Sequence, residues 1–373
     1  MLQAIPDFLR SFMAFVAVLG VLIFVHELGH YLAARWRGVF VEVFSIGFGR
    51  AIASWTDRMG TVWKLCWLPL GGYVKLHGQE REEDVTPEER ARWKIGHTFH
   101  EKTVLSRAII VAAGPIANFL LAIVLFTALF AISGRPLTVP EVGEVLPNSA
   151  AARAGMLAGD RIETIGSPSL GTREIASFED IQRIVSAHPA EHLQIQVRRE
   201  DKRIELSVLT ATQPDGRTGM LGIRGGKVEF VRLGLVQSVV AGVAQTWEVT
   251  AQTFAGIHQM LTGARGTEDL GGPLRIAQLS GQVAQLGVAS LISFIAVLSV
   301  NLGLINLFPI PILDGGHLVF YFVEAVRGRP LPPRAQAAGY RAGLALLAAL
   351  FVFSTWNDLT HLGIFRWVAG LIG

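Results

Sequence analysis

Apolar residues along this chain gather in four long runs, and between the runs they alternate with polar ones. The runs cover about 11–34, 106–132, 286–308 and 338–353 or a little beyond. A helix crosses a bilayer with roughly 20 apolar residues, so each run is predicted to be a membrane span. Residues 38–76 ("VFVEVFSIGFG", then "TVWKLCWLPLGGYVKL") alternate in strand fashion with glycines as punctuation, which predicts a small twisted sheet at the membrane surface directly after the first span. The charged run 80–92 reads as a solvated loop or short helix. From 139 to 212 the period changes repeatedly through strand, short helix, strand, helix and two more strands, the pattern of one compact α+β domain. Residues 233–264 keep a helical period with modest polarity and suit a helix lying on or near the outer membrane surface.

The predicted order is a first span in 1–37, a cytoplasmic-side β region and loop in 38–103, and a second span in 104–135. An inserted domain follows in 136–212, then a linker with amphipathic helices in 213–282, then the third and fourth spans in 283–373.

Composition strengthens the membrane reading. The 373 residues are 51% hydrophobic and only 17% charged, where soluble domains carry about 25% charged residues. A net charge of +3, without a basic run interleaved with aromatics, excludes nucleic-acid binding. The single cysteine, Cys66, excludes an internal disulfide framework and a CxxC zinc site. Lys and Arg crowd the segment between the first two spans and recur between the last two. The positive-inside rule therefore puts both loops in the cytoplasm, and the termini and the 133–285 segment outside. The first apolar run leads into His-Glu-Leu-Gly-His instead of a cleavage site, so it reads as a span and not as a signal peptide.

That junction carries the chemistry. In "FVHELGHYLAARW", His26 and His30 lie one helical turn apart on one face, about 6 Å along the axis. Two imidazoles so placed can share a tetrahedral metal, and Glu27 beside them can act as base towards water. Polar groups inside a span are costly and usually functional. A catalytic zinc takes three protein ligands, and the third span ends in "SVNLGLINLFPIPILDGGHLVF", where Asp314 is the one carboxylate. Pro309 and Pro311 break the helix before it, and Gly315 with Gly316 allows a tight turn after it. Asp314 is therefore expected to turn inward to the histidines; His317, three residues on, could partner it there, and facing solvent at a helix start is the favoured alternative.

"HELGH" on the first span together with "NLFPIPILDGG" on the third resembles the site-2 protease family of intramembrane zinc metalloproteases (peptidase M50). "SAAARAGMLAGDRIETIG" resembles the core of a PDZ domain in its bacterial-protease ordering, and with "GGPLRIA" at 271–277 it brings the chain near the bacterial regulator-of-sigma-E protease group. The resemblance implies zinc held by His26, His30 and Asp314, with Glu27 activating water. It implies that Asn306, ahead of the Pro-x-Pro turn, holds substrate backbone, and that Asn118 in "GPIAN" contacts substrate or the wall of the zinc site. Close relatives with two tandem PDZ domains have a longer insert, whereas this chain has room for one.

The expected fold is thus a multi-pass α-helical membrane protein: four transmembrane helices, a membrane-associated β-sheet and an inserted extracytoplasmic PDZ domain. The expected activity is zinc-dependent cleavage of single-span membrane proteins already shortened by another protease, such as an anti-sigma factor, or of remnant signal peptides. The expected location is the bacterial inner membrane, with the active site towards the cytoplasm and peptide termini bound by the PDZ domain. A substrate helix must unwind before attack, since its carbonyls are hydrogen-bonded. The strand "PLGGYVKL", with Gly72, Tyr73 and Val74, is expected to pair with the unwound segment. A proton- or ion-coupled transporter and a non-proteolytic PDZ adaptor are the competing readings. Against transport, no inverted repeat relates the spans. Against the adaptor, the base Glu27 is intact.

Overall fold

The computed structural model describes residues 7–79, 85–91, 93–213, 216–263, 266 and 271–361. Two compact units make up the chain: Met1–Leu129 with Leu235–Gly373, and Phe130–Gly234.

The first unit opens with helix α1 (Asp7–Trp36), which is apolar from Phe12 to Val25 and free of proline. Strands β1 (Val41–Thr56) and β2 (Val62–Leu76) follow. Each strand bends in its middle, β1 at Gly47 and Gly49 and β2 near Gly71, all at positive φ. Val43–Ile46 therefore pair on one side with Gly72–Lys75, antiparallel, and on the other with Val62–Leu65. The second half of β1 closes on the far side, with Ala51 opposite Cys66 and Thr56 opposite Val62. Segment 72–76 is left as one edge of the sheet. Phe44, Val41, Leu76, Tyr31 and Ala34 form the core that fastens the sheet to α1. Of the charged run, Pro87–Ala91 forms the short helix α2, while 80–84 and 92 lie outside the described residues. Helix α3 (Val104–Ser133) carries Pro115 in its interior.

The second unit holds strands β3 (Arg135–Thr138) and β4 (Val142–Val145), helix α4 (Ala150–Arg153), strands β5 (Arg161–Ser167) and β6 (Gly171–Glu174), helix α5 (Phe178–Ala187) and strands β7 (His192–Arg199) and β8 (Lys202–Leu209). Order β6-β5-β7-β8 makes its main sheet, over a core of Ile162, Ile165, Ile181, Leu193, Ile195 and Val208. Ser177 and Asp180 form a reciprocal capping box that starts α5. The unit runs past the expected end at 212. Strands β9 (Ala211–Thr212), β10 (Gly219–Met220), β11 (Ile223–Gly225) and β12 (Val228–Val231) follow, and β11 and β12 return to pair with β4 and β3. What reads as linker is the closing ribbon of the unit.

The first unit resumes with α6 (Leu235–Leu261), α7 (Pro273–Gln285), α8 (Val288–Asn306), α9 (Asp314–Arg327) and α10 (Pro333–His361). Among the described residues, four helices are long and apolar enough to cross a membrane, within α1, α3, α8 and α10. The last exceeds the expected 338–353, because Arg334 and Arg341 interrupt its apolar pattern without ending the helix. Helix α6 does not simply lie on a surface, as its periodicity suggests. It packs along α3 and α8: Gly242 sits where a Cβ would meet Thr127, the Thr253 hydroxyl donates to Asn301 Oδ1 at 2.9 Å, and Phe254 meets Phe308 edge to face. At the start of α7, the buried carboxylate of Asp358 from α10 accepts the amides of Gly272, Leu274 and Arg275 at 2.8, 3.1 and 3.1 Å. That contact is the physical content of "GGPLRIA": a helix start whose free donors are met by another helix.

The β1–β2 turn is held by one carboxylate. Asp57 accepts the Trp63 indole N–H at 3.0 Å, the Tyr31 hydroxyl at 3.3 Å, and the Met59 and Thr61 amides at 2.8 and 3.0 Å. The indole bond, followed by the two amides, holds its carboxyl below the usual range. This contribution is complete above the unfolded value of about 3.9 and is lost as pH falls through the lower folded value. Asp57→Ala is expected to speed tryptic cleavage after Arg58, and acidification to loosen the turn only in the wild type, as read by limited proteolysis across pH.

Candidate active site

On α1, His26 and His30 face each other edge to face with ring centroids 4.9 Å apart and Nε2 atoms 3.3 Å apart. The third group comes from a break in the helical ladder. After α8 ends at Asn306 the chain turns through Pro309 and Pro311, then restarts as α9 with Asp314 as its first residue. Ile312, just before it, takes φ +108°, a costly conformation for a β-branched residue. At Gly316 a Cβ would lie 2.4 Å from the Ile310 carbonyl oxygen, so only glycine lets the turn fold back this tightly. Asp314 Oδ2 ends 3.2 Å from His26 Nε2 and 3.5 Å from His30 Nε2.

Helix α3 orients both rings. His30 Nδ1 donates to the Ile110 carbonyl at 2.9 Å, and since a carbonyl can only accept, Nε2 of the neutral ring is bare. The acceptor lies in the turn that Pro115 disturbs by lacking an N–H. Gly114 makes the space: a Cβ there would sit 2.3 Å from His30 Nε2. Behind His26 lies the fully buried Asn118, its amide 3.1 Å from Nδ1 and its Oδ1 without a partner. Turning the amide over by 180° places Oδ1 against the ring nitrogen. Oδ1 then accepts Nδ1–H, and Nε2 of His26 is bare as well. Ser299 on α8 donates to the Asn118 carbonyl at 2.8 Å and anchors this backing residue.

The donor set fits zinc. Oδ2 of Asp314 is buried and has no hydrogen-bond partner despite two imidazoles beside it, so the three atoms aim at a shared point rather than at one another. Bonds of about 2.0–2.1 Å to a tetrahedral zinc put ligand atoms about 3.3–3.4 Å apart. The observed separations are 3.2, 3.3 and 3.5 Å. Among the described residues, His26, His30 and Asp314 form the one group of three such side chains with ligand atoms this close.

The sequence pattern of Peptidase family M50 matches residues 14–350. The chain belongs to Peptidase family M50. It is similar, at 44% identity over 93% of this chain and 96% of the relative, to a Rhizobium meliloti protein with a provisional zinc-metalloprotease name. Metalloprotease MmpA of Caulobacter vibrioides is 36% identical over 98% of this chain and 99% of its own. Regulator of sigma-E protease RseP of Escherichia coli is 31% identical over 95% of this chain and 100% of its own. That last alignment runs over 462 positions, so RseP carries segments absent from these 373 residues. A solved PDZ domain of an SdrC-like protein from Listeria monocytogenes matches 24% of this chain and 87% of its own at 19% identity, with a TM-score of 0.20 that carries no argument about fold. Family and metal cluster together make this M50 chain an intramembrane zinc metalloprotease, a multi-pass protein of the bacterial inner membrane that acts on protein substrates.

The M50 site opens into a cavity of about 1270 Å³. Glu27 lines it beside the two histidines, and so do Gly72, Tyr73 and Val74 of the sheet edge and Asn306 of α8. Gly72 is pressed against α1, where a Cβ would lie 3.0 Å from Glu27 Cγ and 2.7 Å from the Ser45 carbonyl oxygen. Asn306 donates from Nδ2 to the Leu302 carbonyl at 3.0 Å, which leaves its Oδ1 available. Of the two surroundings expected for Asn118, the structure gives the wall of the zinc site, behind His26, and one expectation needs correction. His317 does not face bulk solvent; it lines the cavity one turn after Asp314. The sequence reading also passed over Arg107 and Glu324, which pair at 2.7 Å in the cavity wall with the guanidinium 5.0 Å from the Tyr321 ring centre.

Asn118→Ala is expected to weaken zinc binding about 10–100-fold, while Asn118→Asp, which still accepts from Nδ1–H, keeps most of it. Zinc retained against a graded chelator measures this. Wild-type affinity in the alanine variant would contradict the role given to Asn118.

Proposed function

We propose that this protease cuts single-span membrane proteins inside the bilayer, with Glu27 as general base and His26, His30 and Asp314 as the zinc ligands. The observation that carries the reading is the meeting of those four side chains with an open strand edge in one cavity. A zinc ion held there supplies Lewis acidity and a water acidic enough to react near neutral pH. Glu27 accepts the proton of the attacking water and later delivers it to the leaving amine. Gly72–Leu76 offers its unpaired edge to the unwound substrate, replacing backbone hydrogen bonds that would cost several kcal/mol each if left empty in lipid. The sheet register supports this, because β1 occupies only one side of that segment. Asn306 Oδ1 adds an acceptor for a substrate amide.

In this reading Phe130–Gly234 is an extracytoplasmic PDZ domain that binds peptide termini, and the zinc site opens towards the cytoplasm. The "SAAARAGMLAGDRIETIG" run and the placement of Lys and Arg support both. An anti-sigma factor shortened by an earlier cut and remnant signal peptides both meet the single-span requirement. The tandem-domain gating of longer relatives has no counterpart in a chain with one such unit.

Glu27→Gln is expected to keep zinc and lower cleavage at least 10²–10⁴-fold, the usual share of general-base catalysis. Membrane proteomics of cells carrying it should show single-span fragments accumulating. Unaltered cleavage would remove Glu27 from the mechanism. Alternate amides of an edge strand face the sheet and the open side, so proline at Tyr73 and at Val74 should differ. One variant should disturb the sheet, and the other should lose cleavage with zinc content and protease resistance intact. Normal cleavage in both would refute edge pairing.

A further inference from the structure

Two imidazoles in the cavity wall, His100 and His317, have no part in the reaction just described, and the role of the second rests on that reading. His317 follows Asp314 on α9 by three residues, so the two side chains leave the helix on one face. It lines the cavity that also contains Glu27, His26 and His30. Its ring is caged by Phe320, Tyr321 and Tyr340, with centroids 6.5, 6.5 and 5.7 Å away. Tyr340 on α10 is itself set edge-on to Phe320 at 5.7 Å. Its hydroxyl lies 3.4 Å from His317 Nδ1 and is that ring's one side-chain hydrogen-bond partner among the described residues.

A hydroxyl at Nδ1 can tell the two nitrogens apart. When the Tyr340 hydroxyl donates to Nδ1, the imidazole proton resides on Nε2, and a ring in the cavity wall then carries a donor. Hydrolysis does need such a donor. As the water oxygen bonds to the scissile carbon, the carbonyl π pair moves onto its oxygen. When that pair returns, the C–N bond breaks and the amine takes the proton that Glu27 removed from water. A donor aimed at the charged oxygen acts only in that interval and keeps its own proton throughout.

We propose that His317 is a further catalytic residue, donating a hydrogen bond from Nε2 to the oxygen of the scissile carbonyl as charge builds there, and that Tyr340 is the positioning residue that fixes its tautomer.

The test uses the full-length protein, purified in detergent, with a single-span peptide substrate. His317→Ala is expected to lower kcat about 10²–10³-fold, the usual cost of losing one oxyanion donor, with KM and zinc content unchanged. His317→Gln, which keeps an N–H donor, should recover part of that loss. Tyr340→Phe should lower kcat by less, and adding it to His317→Ala should change nothing further, as befits groups that act as a unit. In the Glu27→Gln background, His317→Ala should leave the substrate Kd unchanged, because the bond forms only in the transition state. The inference is overturned if His317→Ala cleaves at the wild-type rate, if its effect falls on zinc content or Kd instead of kcat, or if the two substitutions multiply independently. Wild-type protein that binds zinc yet cleaves nothing would overturn the protease reading itself, whereas wild-type rates in His317→Ala would overturn this inference alone.

Discussion

Three bare ligand atoms brought within 3.2–3.5 Å of each other, in a region with little water to satisfy them, are the constraint on which the remaining structure depends. Two neutral imidazoles and a carboxylate do not gather in an apolar interior without something to hold them, since uncompensated polar groups there cost several kcal/mol each. A dication removes that cost. The surrounding sequence choices then fall into place as ways of keeping the atoms bare and aimed. Pro115 disturbs the α3 ladder near the carbonyl that takes His30 Nδ1–H, Gly114 clears room for the ring, Asn118 backs His26, and Gly316 lets the α9 turn close on Ile310.

The same turn reconciles water with lipid. Irregular backbone at membrane depth is tolerated where it lines a cavity or is buried in protein, and the α8–α9 break does the first. It lets a polar cavity reach the metal ligands from one side while α1, α3 and α8 wall off the others. In the proposed reading, the bent strands supply the remaining requirement. A peptide bond inside a helix cannot be attacked until it is unwound, and an unwound segment in lipid needs new partners at once. The edge at Gly72–Leu76 stands beside Glu27, so unwinding and attack can occur at one place.

Much of this was legible before any coordinates. The four spans, the small sheet, the pairing of His26 with His30 and the inward turn at Asp314 are all written in local patterns: apolar run length, period-two alternation, a one-turn histidine spacing, and prolines before glycines. What was not legible depends on contacts distant in sequence. Strands β9 to β12 are two to four residues long, too short for any periodicity; β9 and β10 pair with each other, and β11 and β12 with the distant β4 and β3. Helix α6 has an amphipathic pattern that fits a surface equally well, and only Thr253 meeting Asn301 decides otherwise. The surroundings of Asn118 and His317 are left open by local pattern for a related reason. A polar residue near a motif could face substrate, solvent or another side chain, and the choice is made by α1 for the first and α10 for the second.

The central claim is that one zinc ion is held by nitrogen and oxygen from α1 and α9. X-ray absorption at the zinc edge of the purified, full-length protein tests it most directly. The account predicts one zinc per chain in a four-coordinate shell of light atoms at about 2.0–2.1 Å, with imidazole scattering that disappears in a protein lacking both His26 and His30. A chain that takes up no zinc, or a shell containing sulfur at about 2.3 Å, would contradict it.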